Sequence, residues 1–328
     1  MTGTLARRWL LAIGWLALAQ VTFQAAFGDA HAQNYPNRPI RLIVGYAAGG
    51  SVDIVCRIIA DKLAQRLGQQ VVVDNRPGGG TQVASSMLVK SEPDGYTLMM
   101  ADIAHGANPA LNAKLPYDTL KDFEPILLVA VFPSILAVDK SLPVASVKEF
   151  IALVKSKPGQ LNYSSSGVGS MNFLASELLK AETGSEIIHI PYQSGAQATT
   201  ALLGGFVQML ITTAPQLLQY VDKVHILAVS SDQRLPAIAD VPTFAEQGFP
   251  NFKMQLWQGL LAPAGVDRQI VQKLNAEFNA VLMLPDVRER LATLGGNAVG
   301  GTPQAFDAFI RNEIDKWSRV IQPHMRPK

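Results

Sequence analysis

Short apolar runs and apolar stripes of helical period alternate along the chain. Residues 40–44 form a nearly continuous apolar run, read as a parallel strand buried on both faces. Val52, Val55, Ile58, Ile59, Leu63 and Leu67 then recur at the 3–4-residue spacing of an amphipathic helix. Gly68 follows where a helix C-cap glycine belongs. Residues 71–73 read as a strand, 77–80 as a loop, 82–89 as a helix and 96–100 as a third strand. That βαβαβ order predicts a parallel sheet with right-handed crossovers.

A second unit repeats the alternation. Residues 147–155, 171–181 and 196–203 read as helices, and 161–164, 187–190, 207–212 and 226–229 as strands. An extended return segment is expected at 255–261, followed by helices at 269–283, 286–294 and 303–321. Pro303 suits the first turn of the last helix, after a Thr302 cap. The expected fold class is α/β with two lobes, each a mostly parallel sheet flanked by helices. Residues 33–134 supply the first part of lobe 1, 135–252 supply lobe 2, and 253–328 return to lobe 1 and end in helices.

Residues 1–32 stand apart. Arg7-Arg8, a long uncharged apolar stretch and the small-residue pattern Ala30-His31-Ala32 read as a secretory signal peptide cleaved near Ala32. A membrane anchor is the competing reading, because residues 9–27 are nearly long enough to span. Paired arginines also leave the export route open between the general and twin-arginine systems. The stretch 123–138 is apolar but broken by Pro125 and Pro133, so no later segment is expected to span. A periplasmic, monomeric protein is expected.

The 328 residues carry 28 Lys+Arg and 26 Asp+Glu, a net charge of +2. That balance gives no electrostatic footprint for nucleic acid. Cys56 is the only cysteine, so no intrachain disulfide forms, and its place in an amphipathic helix suggests a buried apolar filler.

Candidate chemistry lies at two Gly/Ser turns that each follow a strand and open a helix. The first is Gly49-Gly50-Ser51-Val52-Asp53; the second runs through Ser164-Ser165-Ser166-Gly167-Val168-Gly169-Ser170. The first N–H groups of a helix have no intrahelical partner and sit at its positive end, which suits a carboxylate or phosphate. Gly49 and Gly50 permit close backbone approach, and Ser51 adds a hydroxyl. Asp53 has two readings: a helix-start carboxylate, or a groove residue holding a water or a ligand donor. In the second turn Ser170 is a candidate cap, which still leaves other N–H groups free. In open α/β sheets ligands sit outside the carboxyl ends of strands, so a cleft between the lobes is the expected meeting place.

Motifs around both turns are similar to a known family. Tyr35-Pro36-Asn37-Arg38-Pro39-Ile40, Gly49 to Asp53, and Val72-Val73-Asp74-Asn75-Arg76-Pro77-Gly78 lead the series. Pro93-Asp94-Gly95-Tyr96-Thr97-Leu98, Lys157-Pro158-Gly159-Gln160-Leu161-Asn162-Tyr163, Pro191-Tyr192 and Asp240-Val241-Pro242-Thr243 continue it. Trp257-Gln258-Gly259-Leu260-Leu261-Ala262-Pro263 completes it. The chain resembles the Bordetella-uptake-gene (Bug) family, the periplasmic solute-binding proteins of tripartite tricarboxylate transporters. The resemblance implies a type II periplasmic-binding-protein fold, a Venus flytrap, with no catalysis and no cofactor. It implies capture of a small organic carboxylate and delivery to a membrane permease of one large and one small subunit.

By that resemblance the ligand residues include Gly49, Gly50, Ser51 and Asp53. The segment 101–108, read as a loop, adds Ala101, His105 and Asn108; a structural loop residue is the competing reading for His105. The second turn adds Ser165, Ser166, Gly167, Gly169, Ser170 and Phe173. A further strand-to-helix turn adds Tyr192, Ser194, Gly195 and Ala196, and Thr212 closes the set. The chain departs from the family pattern at Ala101-Asp102-Ile103, where hydroxyls are usual, at Gln193, where Lys or Arg is usual, and at Phe173, where His is common. With few basic side chains in these loops, a ligand of one or two carboxylates with an apolar or aromatic part is expected, facing Phe173 and Ile103.

Two other functions remain open. A liganded flytrap can signal to a membrane sensor kinase as readily as to a permease, since both read one closed state. An exported hydrolase is the rival from another class. The chain has no G-x-S-x-G elbow and no P-loop. His31, His105, His189, His225 and His324 show no metal-ligand spacing.

Overall fold

The computed structural model describes residues 35–321. The expected signal peptide, 1–32, lies outside them. The chain opens with strand β1 (Ile40–Val44), helix α1 (Ser51–Leu67), β2 (Val71–Asn75), α2 (Gln82–Val89) and β3 (Thr97–Asp102). β1 pairs in parallel with both β2 and β3, as the βαβαβ pattern requires. The order β2-β1-β3 with right-handed crossovers puts α1 and α2 on opposite faces. Ser85 of α2 lies 3.8 Å from the Met99 sulfur, so α2 covers the Met99 face and α1 the Met100 and Asp102 face.

The segment 101–108 is not a loop. Ala101 and Asp102 end β3, and α3 (Ile103–Leu111) follows at once. Gly106 and Pro109 disfavour a helix locally. The Asp102 carboxylate nevertheless caps it by accepting from the Ala104 N–H at 3.1 Å. Tertiary contact does the rest. A Cβ on Gly106 would stand 3.0 Å from the Glu313 Cβ, so glycine lets α3 lie close against the last helix, α10 (Pro303–Val320).

The apolar stretch broken by two prolines is one long strand, β4 (Phe123–Asp139). It pairs antiparallel with β9 (Gln255–Pro263), and its register shifts next to Pro125. Proline has no N–H for a ladder, so it belongs at such irregularities. At Pro133 the strand changes partners. From Ser134 onward it pairs antiparallel with β7 (Met209–Thr213) and β8 (Val224–Val229). β10 (Asn297–Gly300), which periodicity did not reveal, pairs with the first half of β4.

The second unit holds α4 (Val147–Ser156), β5 (Asn162–Ser165), α5 (Met171–Thr183), β6 (Ile188–Pro191), α6 (Gly195–Leu203) and α7 (Ala214–Leu217). β5 pairs in parallel with β6 and β7. Helices α8 (Arg268–Leu282), α9 (Pro285–Thr293) and α10 return to the first unit. The expected parallel strands form β2-β1-β3 and β6-β5-β7. The antiparallel pairs all involve β4 or β9, the strands that tie the units together, so the sheet as a whole is mixed.

The chain passes between units at β4 and again between β8 and β9. A serine knot holds this crossing. Ser230 Oγ accepts from the Ser134 N–H at 2.7 Å and donates to the Met254 carbonyl, which also accepts from Ser134 Oγ at 3.0 Å. Every partner is buried, and both serine hydroxyls are hydrogen-bonded. Trp257, on β9, is fully buried. It packs edge-on to Phe306 and Phe309 of α10 and donates from Nε1 to Glu313 at 3.1 Å.

Candidate functional site

The strand register sets where the turns lie. Asp102, the last residue of β3, is opposite Gln258 of β9, which is opposite Ala130 of β4, shortly before the change of partners at Ser134. Thr213, the last residue of β7, is opposite Ser134 itself. Because β1 runs with β3, and β5 and β6 with β7, the carboxyl ends of all these strands face the crossing from both sides. The two Gly/Ser turns leave these ends.

In the first turn residues 47–51 are exposed. Gly49 has φ +84°, a left-handed conformation suited to glycine. Its N–H is not free: it donates to Asp53 Oδ2 at 2.8 Å. Asp53, 2% exposed, also accepts from Arg57 Nε at 3.0 Å and Nη2 at 2.9 Å, and from Asn75 Nδ2 at 3.0 Å. Asn75 Nδ2 donates in addition to the Tyr46 carbonyl at 3.0 Å. The Arg57 guanidinium, with the Gly49 and Asn75 bonds, holds the Asp53 carboxyl below its usual range against the opposing pull of burial. Asp53 is thus the brace of the turn, and Arg57 is committed to it. Helix α1 itself carries no side-chain cap at Gly50. The N–H groups of Ser51, Val52 and Asp53 are the orphan donors of this 17-residue helix.

The second turn is bonded internally. Ser170 caps α5 by accepting from the Phe173 N–H at 3.3 Å, and its hydroxyl donates to the Gly167 carbonyl at 2.7 Å. Ser165 is fully buried. Its Oγ accepts from the Gly167 N–H at 3.0 Å and lies 2.5 Å from His189 Nε2. Ser166 Oγ donates to Asn172 Oδ1 at 3.2 Å, and Asn172 Nδ2 donates to the Ile211 carbonyl at 2.8 Å. Gly167, Ser166 and Ser170 are half-buried; Gly169 is buried, and a Cβ there would lie 3.2 Å from Leu111 Cδ1. Leu111 ends α3 of the first unit, so this contact joins the two units beside the turn.

Several expected ligand residues are packed into the interior. His105 is 1% exposed with its ring edge-on to Phe123 at 4.8 Å, and burial pushes its pKa down to about 4. Asn108 donates to the Gly80 carbonyl at 2.9 Å and so ties α3 to the 77–80 loop. Ala101, Ile103 and Phe173 are buried; Phe173 packs against the His189 ring at 5.0 Å. The expectation that Phe173 and Ile103 face the ligand therefore meets side chains already enclosed by the core. Thr212, also buried, donates to Gln216 Oε1 at 2.5 Å, and Gln216 stands 3.1 Å from where a Gly195 Cβ would be.

Ser194 caps α6, accepting from the Gln197 N–H at 3.2 Å, while Gln197 Oε1 accepts from the Gln193 N–H at 3.0 Å. Tyr192 and Gly195 are half-buried, and Ser194 and Ala196 exposed. Sequence reasoning missed Arg57, Asn75, Asn172 and Gln216, which hold the turns in shape. The i,i+4 spacings of Asp53 with Arg57 and of Thr212 with Gln216 were usable signals; Asn75 meets Asp53 across 22 residues, and Asn172 reaches the Ile211 carbonyl across 39. Among the described residues no group of His, Cys, Asp and Glu is arranged to hold a metal, and no helix is long and apolar enough to cross a membrane.

Two α/β units joined by crossing strands, with strand-end turns facing the crossing, define a solute-binding protein of the periplasmic type. The family model "Tripartite tricarboxylate transporter family receptor" matches residues 55–325, and the chain belongs to that family. It is 36% identical over 297 residues to the protein BugT of Bordetella pertussis, covering 89% of this chain and 90% of the relative. An R. palustris protein solved with adipate superposes with a TM-score of 0.78 at 34% identity, covering 87% of this chain and 97% of that one. MatC from Rhodopseudomonas palustris with bound malate gives 0.77 at 32% identity, covering 88% and 100%.

Proposed function

We propose that this chain captures a small mono- or dicarboxylate between its two units, in the periplasm, and delivers it to the permease of a tripartite tricarboxylate transporter. The observation that carries the proposal is the exposed, uncapped N-terminus of α1 at the carboxyl end of β1. Two protein structures of similar fold, described with adipate and with malate, support the ligand class. The carboxylate is held by backbone N–H groups of Ser51 to Asp53 and by the Ser51 hydroxyl, because the guanidinium of the same helix, Arg57, is engaged by Asp53. The half-buried residues of the second turn, Ser166, Gly167 and Ser170, supply the opposing wall. The units meet by hinging at the serine knot, and the closed form is what the permease reads. The reading keeps the boundaries 33–134, 135–252 and 253–328; the change of strand partners at Pro133 and Ser134 and the serine knot at Met254 support it within the described residues.

Thermal-shift screening and calorimetry with a carboxylate library test this reading. Succinate, malate, adipate and simple aromatic acids are expected among the stabilising compounds, at micromolar affinity, about −8 kcal/mol. Tight binding of citrate, with no mono- or dicarboxylate bound, would overturn the ligand class.

A further inference from the structure

Asp102 and Gln258 lie directly opposite each other on the antiparallel pair β3 and β9. Cross-strand partners point to the same face of a sheet, with Cβ atoms about 4.5–5.5 Å apart. That face is the one covered by α1, and Tyr46, in the turn that leads into α1, donates to Asp102 Oδ2 at 2.6 Å. The pair is therefore beside the first Gly/Ser turn, at the end of β3 that faces the crossing. Both members are in an unusual condition. Gln258 is fully buried, and neither its amide oxygen nor its amide nitrogen has a hydrogen-bond partner. Asp102 is 3% exposed, and its neighbours are a phenol and a backbone N–H; among the described residues no cation pairs with it.

A buried amide without hydrogen-bond partners costs free energy, and so does a buried carboxylate that has hydrogen bonds but no cation, so such groups call for a complement. The complement of this pair has definite chemistry. Two acceptors, the Asp102 carboxylate and the Gln258 carbonyl, face one donor, the Gln258 amide nitrogen. A carboxylate ligand anchored at Ser51 to Asp53 would meet repulsion from an ionised Asp102 unless it brought a donor of its own. We infer that Asp102 and Gln258 select among carboxylates for those that also carry a hydrogen-bond-donating nitrogen, an ammonium or an amide, which they receive beside the α1 N-terminus. Burial, which raises the Asp102 pKa to about 6, gives this preference its force: an ammonium would stabilise the buried charge. The inference rests on the first turn as the carboxylate anchor and adds the feature that sets it apart from a receptor for plain diacids.

Calorimetry on the mature chain with three matched pairs tests it: succinate and aspartate, glutarate and glutamate, 3-phenylpropionate and phenylalanine. In at least one pair the nitrogen-bearing acid is expected to bind ten-fold or more tighter. Asp102→Asn keeps the shape, the α3 cap and the bond with Tyr46, and is expected to cut that ratio at least ten-fold. Gln258→Leu, which replaces the unpartnered amide with an apolar side chain of similar size, is expected to lower the ratio with an unchanged or higher Tm. Plain acids binding as well as their nitrogen-bearing partners, or ratios unmoved in a folded Asp102→Asn, overturn the inference and leave carboxylate capture standing. If none of the six binds while other plain carboxylates do, the inference fails in the same way. No carboxylate of any kind binding overturns the proposed function and the inference together.

Discussion

The two Gly/Ser turns share a sequence pattern and a place at strand ends, yet the structure treats them differently. The first is braced from below: Asp53 accepts from Gly49, Arg57 and Asn75, while the end of α1 is left uncapped and exposed. The second spends its hydroxyls on itself, with Ser170 capping α5 and Ser165 tied to Gly167 and His189. A serine beside glycine is therefore no measure of an available donor. What counts is whether a side chain within reach has already claimed the N–H groups.

The comparison breaks most sharply at Gly50. Its φ is −74°, and an added Cβ would make only an ordinary contact with the Ala47 carbonyl, so the backbone accepts a side chain. Gly50→Arg is expected to lower carboxylate affinity by more than 100-fold, about 3 kcal/mol, with a Tm near that of the parent. Calorimetry beside thermal denaturation checks both parts. Ser166→Ala in the second turn is expected to lose less than ten-fold. Equal losses would put the two turns on the same footing.

The histidines His105, in the first unit, and His189, in the second, differ as well. His105 is enclosed and neutral, its pKa lowered from 6.5 to about 4 by burial. The unfolded chain takes up that proton first, so stability falls as pH drops below about 6.5 and levels off below about 4. The loss is roughly 3 kcal/mol. Denaturant titrations from pH 7 to pH 4 should show it, and His105→Gln should flatten the slope. His189, half-buried behind the second turn, is also lowered by burial, with Glu177 opposing. It should add a smaller decline of the same sign.

Asp53→Ala removes a buried acceptor and leaves the Gly49 N–H and the Asn75 amide without it. Arg57 can turn to water, so the expected cost is about 2 kcal/mol. Since the Asp53 pKa is depressed when folded, its contribution is present above its unfolded pKa and is lost as pH falls through the folded value. The variant should therefore lose less on acidification than the parent, which chemical denaturation at several pH values would reveal. Ser170→Ala is the mildest change, a lost cap worth about 1 kcal/mol. A change in Tm with nearly constant affinity would confirm that this hydroxyl serves the helix.

Much of the fold was legible in the chain. The α1 stripe, the parallel triplets and the terminal helices all carry strong periodicity, because a face buried against a sheet must be apolar at a fixed spacing. Helix α3 and strand β4 were not legible, for opposite reasons. Gly106 and Pro109 give α3 no local helical preference; it exists because Asp102 caps it and α10 packs on Gly106. Pro125 and Pro133 looked like breaks in an apolar stretch, whereas they occupy the register shift and the change of partners in a strand that continues through both.

The sequence by itself determined the two α/β alternations, the strand-end turns and the family, since these depend on local spacing and on ordered short motifs. It also placed Gly49, Gly50 and Ser51 at a helix start. Only the tertiary structure decided which donors stay free and which candidates are enclosed. Asp53 meets Asn75, Ser165 meets His189, and Asp102 meets Gln258 across 22, 24 and 156 residues of chain. Hydrogen-bond satisfaction and burial are properties of neighbours in space, and no local pattern encodes who those neighbours are.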